Sequence, residues 1–203
     1  MVIIINPHNR ETHEDLLDDS FMVRDRIFNG RLGWNLPTIA GREIDQYDTD
    51  DSYYLICYEH HIGVYGGCRL LPTTSSYMLE NTFRQIDCGP LPKSNEVWES
   101  SRFFIDTDIF DGDDTTVIKK ATCELVVGML EFGFYKNLSN IITLTDIRIE
   151  RIFRMIGCPL ERLSQPVEIG NTMTIAANIN IRPDYLINVQ KKAGIVGSVL
   201  IER

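Results

Sequence analysis

The chain has no apolar run near the ~20 residues that a membrane-spanning helix needs, so none of its 203 residues is expected to form one. Its first apolar stretch, MVIII, is too short for a signal-peptide core and has no basic start. Both observations predict a protein that acts in the cytoplasm, where it is made. Cysteine is sparse and unpatterned. Cys57, Cys68, Cys88, Cys123 and Cys158 are odd in number, widely spaced and never in a CxxC pair. They read as reduced, mostly buried thiols. Positive charge is in deficit, with 20 Lys and Arg against 29 Asp and Glu and a formal net charge of −9. A general nucleic-acid binder carries a basic footprint, so nucleic acid is not an expected partner, although a local basic patch remains compatible. There is no Walker loop and no nucleophile elbow. His60 and His61 have no metal-ligand partners at suitable spacing, and Asp106, Asp108, Asp111 and Asp113 miss the EF-hand pattern and lack its closing Glu. No metal is expected. No repeat, low-complexity tract or linker divides the chain, so one domain over residues 1–203 is expected. Oligomeric state leaves no signal in the sequence.

What is present is an ordinary folding composition, 43% hydrophobic and 24% charged. MVIII reads as a short strand. Residues from about His13 to Phe28 read as a helix, followed by the Gly- and Pro-rich loop RLGWNLPTIAGRE. YYLICYE from Tyr53 and HIGVYGGCRLL from His61 read as strands joined by a tight turn at His60 and His61. WESSRFFID is a third strand. An acidic loop follows, in which Asp114 or Thr115 is placed to cap the long apolar helix TTVIKKATCELVVGMLEFGFYKN. NIITLT from Asn140 is a buried strand. The next helix is capped by Asp146, carries Ile149, Ile152, Phe153 and Ile156 at helical spacing, and is stopped by Gly157 and Pro159. NTMTIAANI is a late strand, RPDYLINVQKKAG a short helix entered at Pro183, and IVGSVLIE a closing strand. A helix, a strand meander and then strand–helix alternation predict an α/β protein, a three-layer α/β/α sandwich with a mixed central sheet.

The segment VWESSRFFID carries the most chemical information. It sets Glu99 and Arg102 three residues apart beside Trp98 on a run ending FFI. A carboxylate and a guanidinium in an apolar segment must pair, bind a ligand or face a polar cleft, because burying either unpaired costs several kcal/mol, roughly. Further charges sit among apolar residues upstream: Arg24 with Phe28 and Trp34, Asp45 and Asp48 in EIDQYD, and Arg69 in GGCRLLPT. Asp45 and Asp48 diverge on an extended chain and converge in a turn. By residue type alone they read equally as solvated loop acids, Phe28 as core, and Glu99 as an ion-pair partner of Arg102 or Arg69.

The ordered set Arg24, Phe28, Trp34, Asp45, Asp48, Arg69, Glu99 and Arg102 resembles the acyl-homoserine-lactone synthases, the autoinducer synthases of bacterial quorum sensing. The resemblance spans about Arg24 to Pro159. It implies a GNAT-like acyltransferase fold. It also implies a reaction in which the amine of S-adenosylmethionine attacks an acyl thioester and the methionine carboxylate then closes a lactone, releasing methylthioadenosine. S-adenosylmethionine is then a substrate, and no tightly bound cofactor is expected. Acyl carrier protein is the expected donor, with acyl-coenzyme A as the variant. Glu99 is the candidate base, acting through a water, with Arg102 and Arg69 shaping the donor side. Arg24, Phe28, Trp34, Asp45 and Asp48 are the candidate residues for S-adenosylmethionine, the two aromatics by stacking on adenine or facing the sulfonium. The resemblance places Phe103, Val126, Met129, Thr143, Ile149, Ile152 and Phe153 along the acyl tunnel, with Thr143 at a position linked in some members with 3-oxo chains. Lys119, Lys120, Arg148, Arg151 and Arg154 are candidates for docking an acidic carrier, or else a solvated face. Two other readings stay open: a coenzyme A-dependent N-acyltransferase of the same fold, and a non-catalytic acyl-binding homolog.

Overall fold

Branched and aromatic residues at alternating positions form the strands of the computed structural model, which describes residues 1–110 and 115–201, the side chains of 115–118 excepted. The expected helix cap at Asp114 or the Thr115 side chain, and the acids Asp111 and Asp113, lie outside the described residues. The chain divides into two compact units: Met1–Arg69 with Arg102–Gly128 and Ser198–Arg203, and Leu70–Ser101 with Met129–Gly197.

In the first unit β1 (Val2–Ile5) pairs antiparallel with β4 (Tyr53–Glu59), Val2 opposite Cys57. The order continues to β5 (Gly63–Pro72) and to β6 (Val97–Ile105), strands that begin or end in this unit. A 3-10 turn (Glu11–His13), α1 (Glu14–Asp25) and a π-helical turn (Arg26–Arg31) follow β1. The helix expected to stop near Phe28 thus continues for another turn in wider form. Leu32 N–H reaches back to the Ile27 carbonyl at 2.9 Å, the π-type spacing that recurs at functional sites. Within the loop expected after it, β2 (Thr38–Ile39) and β3 (Arg42–Glu43) form a short antiparallel hairpin. Ile5, Leu17, Val23, Ile27, Phe28, Tyr54, Ile56, Val64 and Phe104 form one buried cluster, which fixes α1 and its π turn to the strands. The closing segment is a correction: among its described residues, which end at Ile201, IVGSVLIE makes a single bridge, Leu200 with Val2, rather than a strand. The Ser198 hydroxyl accepts from the Leu200 N–H, a local bond that competes with a ladder.

In the second unit β6 runs parallel to β7 (Asn140–Asp146), with Glu99 opposite Ile142 and Ser100 opposite Thr143. β10 (Thr172–Asn180) lies antiparallel on β7 and carries the short strands β8 (Glu161–Arg162) and β9 (Val167–Ile169). The sheet is therefore mixed, as expected. α2 (Met78–Asn81) is a single turn that the residue pattern did not announce. α3 (Thr115–Tyr135) contributes residues to both units and is apolar around its circumference, so Leu125, Val126, Val127, Met129, Leu130 and Phe132 are all buried. α4 (Ile147–Ile156) begins where expected: Asp146 accepts from the Arg148 N–H, and Gly157 ends the helix in left-handed conformation. α5 (Pro183–Ala193) starts on its proline and ends at Gly194. Among the described residues no helix is long and apolar enough to cross a membrane.

Candidate active site

Three arginines and three carboxylates of the first unit interlock. Arg24, on the buried face of α1, donates through Nε to Glu43 at 2.7 Å and through both terminal nitrogens to Asp48 at 2.8 and 2.9 Å. Arg69, in β5, binds Asp45 at 2.6 and 3.2 Å and approaches Asp48 at 2.9 Å. Arg102, in β6, binds Glu43 at 2.9 Å and Asp45 at 2.9 Å. The turn expected at Asp45 and Asp48 is present: Asp48 N–H donates to the Asp45 carbonyl, and Asp45 N–H to the Asp48 carboxylate. The two acids converge on Arg69.

The network is neutral by charge count and nearly all buried. Arg24, Glu43, Asp48 and Arg69 side chains are at most 2% exposed, whereas Asp45 reaches 15%. Burial pushes the Asp48 carboxyl up, but the Arg24 hydrogen bonds and the charges of Arg69 and Arg24 outweigh it and hold it well below the carboxylate range. Burial disfavours charge on Arg69 too, and Asp48 and Asp45 overcome it, so its guanidinium is held more firmly charged than usual. Tyr54 completes the set, donating its hydroxyl to Asp48 at 3.0 Å; burial and the Asp48 charge push its phenol up. Glu43 and Tyr54 were not singled out from the sequence. Glu43 lies two residues before Asp45, a spacing that puts both on one face of an extended segment, and that was the available signal.

The aromatic candidates adjoin this network. Phe28 is buried on the π turn and stacks on Trp34, ring centroids 4.9 Å apart and planes 22° apart. The Arg102 guanidinium lies 5.6 Å from the Phe28 ring. Trp34 is 46% exposed. The loop beyond it is tied down: Asn29 accepts from the Leu36 N–H at 2.6 Å and donates to Asp25 at 2.6 Å. Arg102 has a φ of 54°, a left-handed conformation that costs a non-glycine residue about 1–3 kcal/mol and concentrates at functional sites.

Glu99 belongs to the second unit. Its carboxylate accepts from Met78 N–H at 2.9 Å and Leu79 N–H at 2.6 Å, amides at the start of α2, where a helix offers its N–H groups no intrahelical acceptor. The ion pairs of Arg102 and Arg69 given above run to Glu43, Asp45 and Asp48. Glu99 is 1% exposed. Its carboxylate thus accepts from two backbone donors of α2.

The remaining candidates divide between the units. Phe103, half-buried, and Val126, buried, are in the first; Met129, Thr143, Ile149, Ile152 and Phe153 are in the second. On α4 the far end of the apolar stripe, Phe153 and Ile156, is buried, while Ile149 and Ile152 are half-buried. Lys119 and Lys120 are exposed. The arginines of α4 are less free than their spacing suggests. Arg148 binds Asp146 at 2.5 Å, and Arg154 approaches Glu150 at 3.7 Å. Glu150, expected only to interrupt the run, also holds Arg162 at 2.7 Å. Arg151 is exposed and has no ion-pair partner among the described residues.

Residues 8–189 match the family model described as autoinducer synthase. The chain belongs to this family. It is 36% identical to the acyl-homoserine-lactone synthase of Agrobacterium fabrum over 179 residues, 88% of this chain and 85% of the relative. It is 30% identical to the synthase of Vibrio anguillarum, over 82% of this chain and 87% of the relative. Among solved structures, the coenzyme A-dependent synthase BjaI, with S-adenosylmethionine and isopentyl-CoA, superposes with a TM-score of 0.89 at 28% identity, covering 100% of this chain and 93% of that one. LasI superposes with a TM-score of 0.80 at 26% identity, covering 94% of each. An N-acetyltransferase from Lactobacillus plantarum, at 13% identity and a TM-score of 0.55, shares the fold alone over 90% of this chain and 98% of that one. The autoinducer synthase fold here is thus the GNAT-like α/β class, and the chain is an acyltransferase.

Proposed function

We propose that this chain makes an N-acyl-homoserine lactone from S-adenosylmethionine and a phosphopantetheine-linked acyl thioester, with both units serving one synthase domain. The observation that carries the reading is the buried arginine–carboxylate network bordered by the Phe28–Trp34 stack. A ligand with ammonium and sulfonium charges suits a site whose partly open acid, Asp45, pairs with Arg102, the guanidinium that lies over the Phe28 ring of the Phe28–Trp34 stack. Arg24, Asp48 and Arg69 hold Asp45 and its loop in place, and Phe28 and Trp34 receive the adenine or the sulfonium. The substrate amine must lose a proton, and an unperturbed α-amino group titrates at about 7.7–8.0, so a modest base suffices. Glu99 fills that role through a water. The Met78 and Leu79 amides orient its carboxylate. The amine nitrogen then bonds to the thioester carbon, the carbon–sulfur bond breaks and the thiol leaves with a proton. In the second step the methionine carboxylate displaces the sulfonium and closes the ring. That step needs orientation more than a strong nucleophile.

Carrier protein and coenzyme A present the same thioester chemistry, and the experiment separates them. Purified protein is incubated with S-adenosylmethionine and matched acyl-carrier and acyl-coenzyme A thioesters, and the products are read by mass spectrometry. Methylthioadenosine and an N-acyl lactone are expected in equal amounts. Absence of both across the whole panel overturns the reading and favours an acyl-binding homolog.

A further inference from the structure

One side chain fastens both ends of the segment that carries Trp34. Asn29 follows Phe28 on the π turn. Its carboxamide oxygen accepts from the Leu36 N–H at 2.6 Å, and its nitrogen lies 3.1 Å from the Leu36 carbonyl. A single carboxamide thus answers both backbone groups of Leu36, as a neighbouring strand would. The same nitrogen reaches Asp25 at 2.6 Å and the Thr38 hydroxyl at 3.0 Å, and that hydroxyl donates to Asp25 at 2.8 Å. The nitrogen has two protons for these three acceptors, so the contacts are shared. Between the fastened ends, Trp34 sits between Gly33 and Asn35, at φ of 63° and 53°, the left-handed conformation of tight turns. Its N–H donates to the Phe28 carbonyl at 2.9 Å, and its ring stacks on Phe28. Trp34 is 46% exposed, so burial alone does not keep it there.

We propose that Asn29 is a positioning residue for S-adenosylmethionine, fixing the Trp34 segment beside Phe28 before the substrate arrives; the inference rests on the acyl-transfer reading above, in which these two aromatics receive that substrate. A segment that is already ordered costs less to bind against. If it is ordered only part of the time, the apparent affinity falls by that fraction. Phe28 is buried on the π turn, and Arg24, Asp48 and Arg69 make their bonds with one another and with Glu43 and Asp45. Loss of the carboxamide therefore weakens the binding of S-adenosylmethionine and leaves the chemical step in place.

The test is Asn29→Ala in the full chain, with Kd for S-adenosylmethionine read by calorimetry and steady-state kinetics beside it. Kd and KM for S-adenosylmethionine are expected to rise about tenfold, the worth of one or two hydrogen bonds, while kcat at saturation stays within about twofold. Thr38→Val, which removes only the outer hydroxyl, is expected to give a smaller rise in the same direction. Fluorescence adds a readout that needs no turnover. The chain has two tryptophans, and Trp98 is 9% exposed against 46% for Trp34, so acrylamide quenching reports on the Trp34 segment. Quenching of the substrate-free protein is expected to increase in Asn29→Ala and to return toward wild type at saturating S-adenosylmethionine. An unchanged Kd overturns the proposal. So does a fall in kcat at unchanged Kd, which would place the effect in the chemical step. If Asn29→Ala does not fold, Thr38→Val carries the test, and an unchanged Kd there overturns the proposal as well. A wild type that binds no S-adenosylmethionine fails the acyl-transfer reading instead, whereas a wild type and an Asn29→Ala that bind it equally fail this proposal alone.

Discussion

Asp48 shows how single residues in this protein depend on their neighbours. Its carboxylate takes Arg24 at 2.8 and 2.9 Å, Arg69 at 2.9 Å, the Tyr54 hydroxyl at 3.0 Å and the Asp45 N–H at 2.9 Å. Asp48→Asn keeps the shape and removes the charge, leaving two buried guanidiniums undercompensated. Losing one partner of a buried pair costs about 3–5 kcal/mol, so unfolding in urea at pH 7 is expected to show a loss of that order. The pH dependence has a definite sign. The folded carboxyl is depressed relative to an unfolded Asp at about 3.9, so its contribution is fully present above that pH and is lost as pH falls toward the folded value. Below about pH 4 the wild type should lose stability faster than Asp48→Asn, by up to about 1.4 kcal/mol per pH unit. Parallel stability–pH curves for the two proteins would remove the assigned role of Asp48. At this scale the sequence was informative wherever charge sat in apolar surroundings. Arg24, Asp45, Asp48, Arg69 and Arg102 do meet. What it did not disclose was that the first amides of α2 bind Glu99, because two backbone amides of a single-turn helix carry no side-chain signature.

Elements were legible in proportion to their length and to the locality of what stabilises them. α4 was readable end to end because its cap, its stripe and its terminating glycine all lie within the segment. The β2–β3 hairpin was not, since its strands have two residues each and its turn uses Ala40 at a φ of 51° before Gly41 at 77°. The π turn under Phe28 was hidden as well, because a pattern of apolar residues does not distinguish one extra residue per turn. β5 depends on a feature that periodicity cannot convey. A methyl added at Gly67 would stand 2.8 Å from the Leu55 carbonyl oxygen on β4 and 3.1 Å from the Phe104 ring on β6. Neither neighbour can yield cheaply, one being backbone and the other a ring in the buried cluster. Gly67→Ala is expected to destabilise by about 1–3 kcal/mol through overpacking. It should also lower activity by displacing Arg69, two residues along the same strand. Gly30→Ala, where nothing lies within 4 Å of the added methyl, is the matched comparison, expected within about 0.5 kcal/mol of wild type or slightly more stable. Equal melting temperatures for the two variants would show that β5 can move apart from its neighbours.

For the molecule as a whole, the charge balance sets a problem for the donor. A net charge of −9 opposes the approach of an acidic carrier protein, and long-range repulsion slows encounter. Productive docking then needs a local positive surface whose charge is not already used. Lys119 and Lys120 on α3 and the arginines of α4 were the expected places, and the α4 arginines differ in how far they meet that need. Arg148 is held by Asp146, and Arg154 approaches Glu150, a carboxylate already bound by Arg162. The Lys192 ammonium caps the α4 carbonyl of Met155. Arg151, exposed and without an ion-pair partner among the described residues, has the least compensated charge on that helix. Because it holds no intramolecular pair, Arg151→Glu should leave the melting temperature within about 0.5 kcal/mol equivalent of wild type. Its effect belongs in association. A rim charge acts mainly on encounter and salt dependence, so kcat/KM with an acyl-carrier donor is expected to fall severalfold at low ionic strength while kcat changes little. At 0.5 M salt the Debye length is well under the ~8 Å of physiological buffer, and most of the difference should disappear. With an acyl-coenzyme A donor the same substitution should not lower kcat/KM in this way, because that donor has no protein surface to dock. A uniform loss with both donors, insensitive to salt, would mean that Arg151 supports the helix and that the carrier, where it is used, docks on another face.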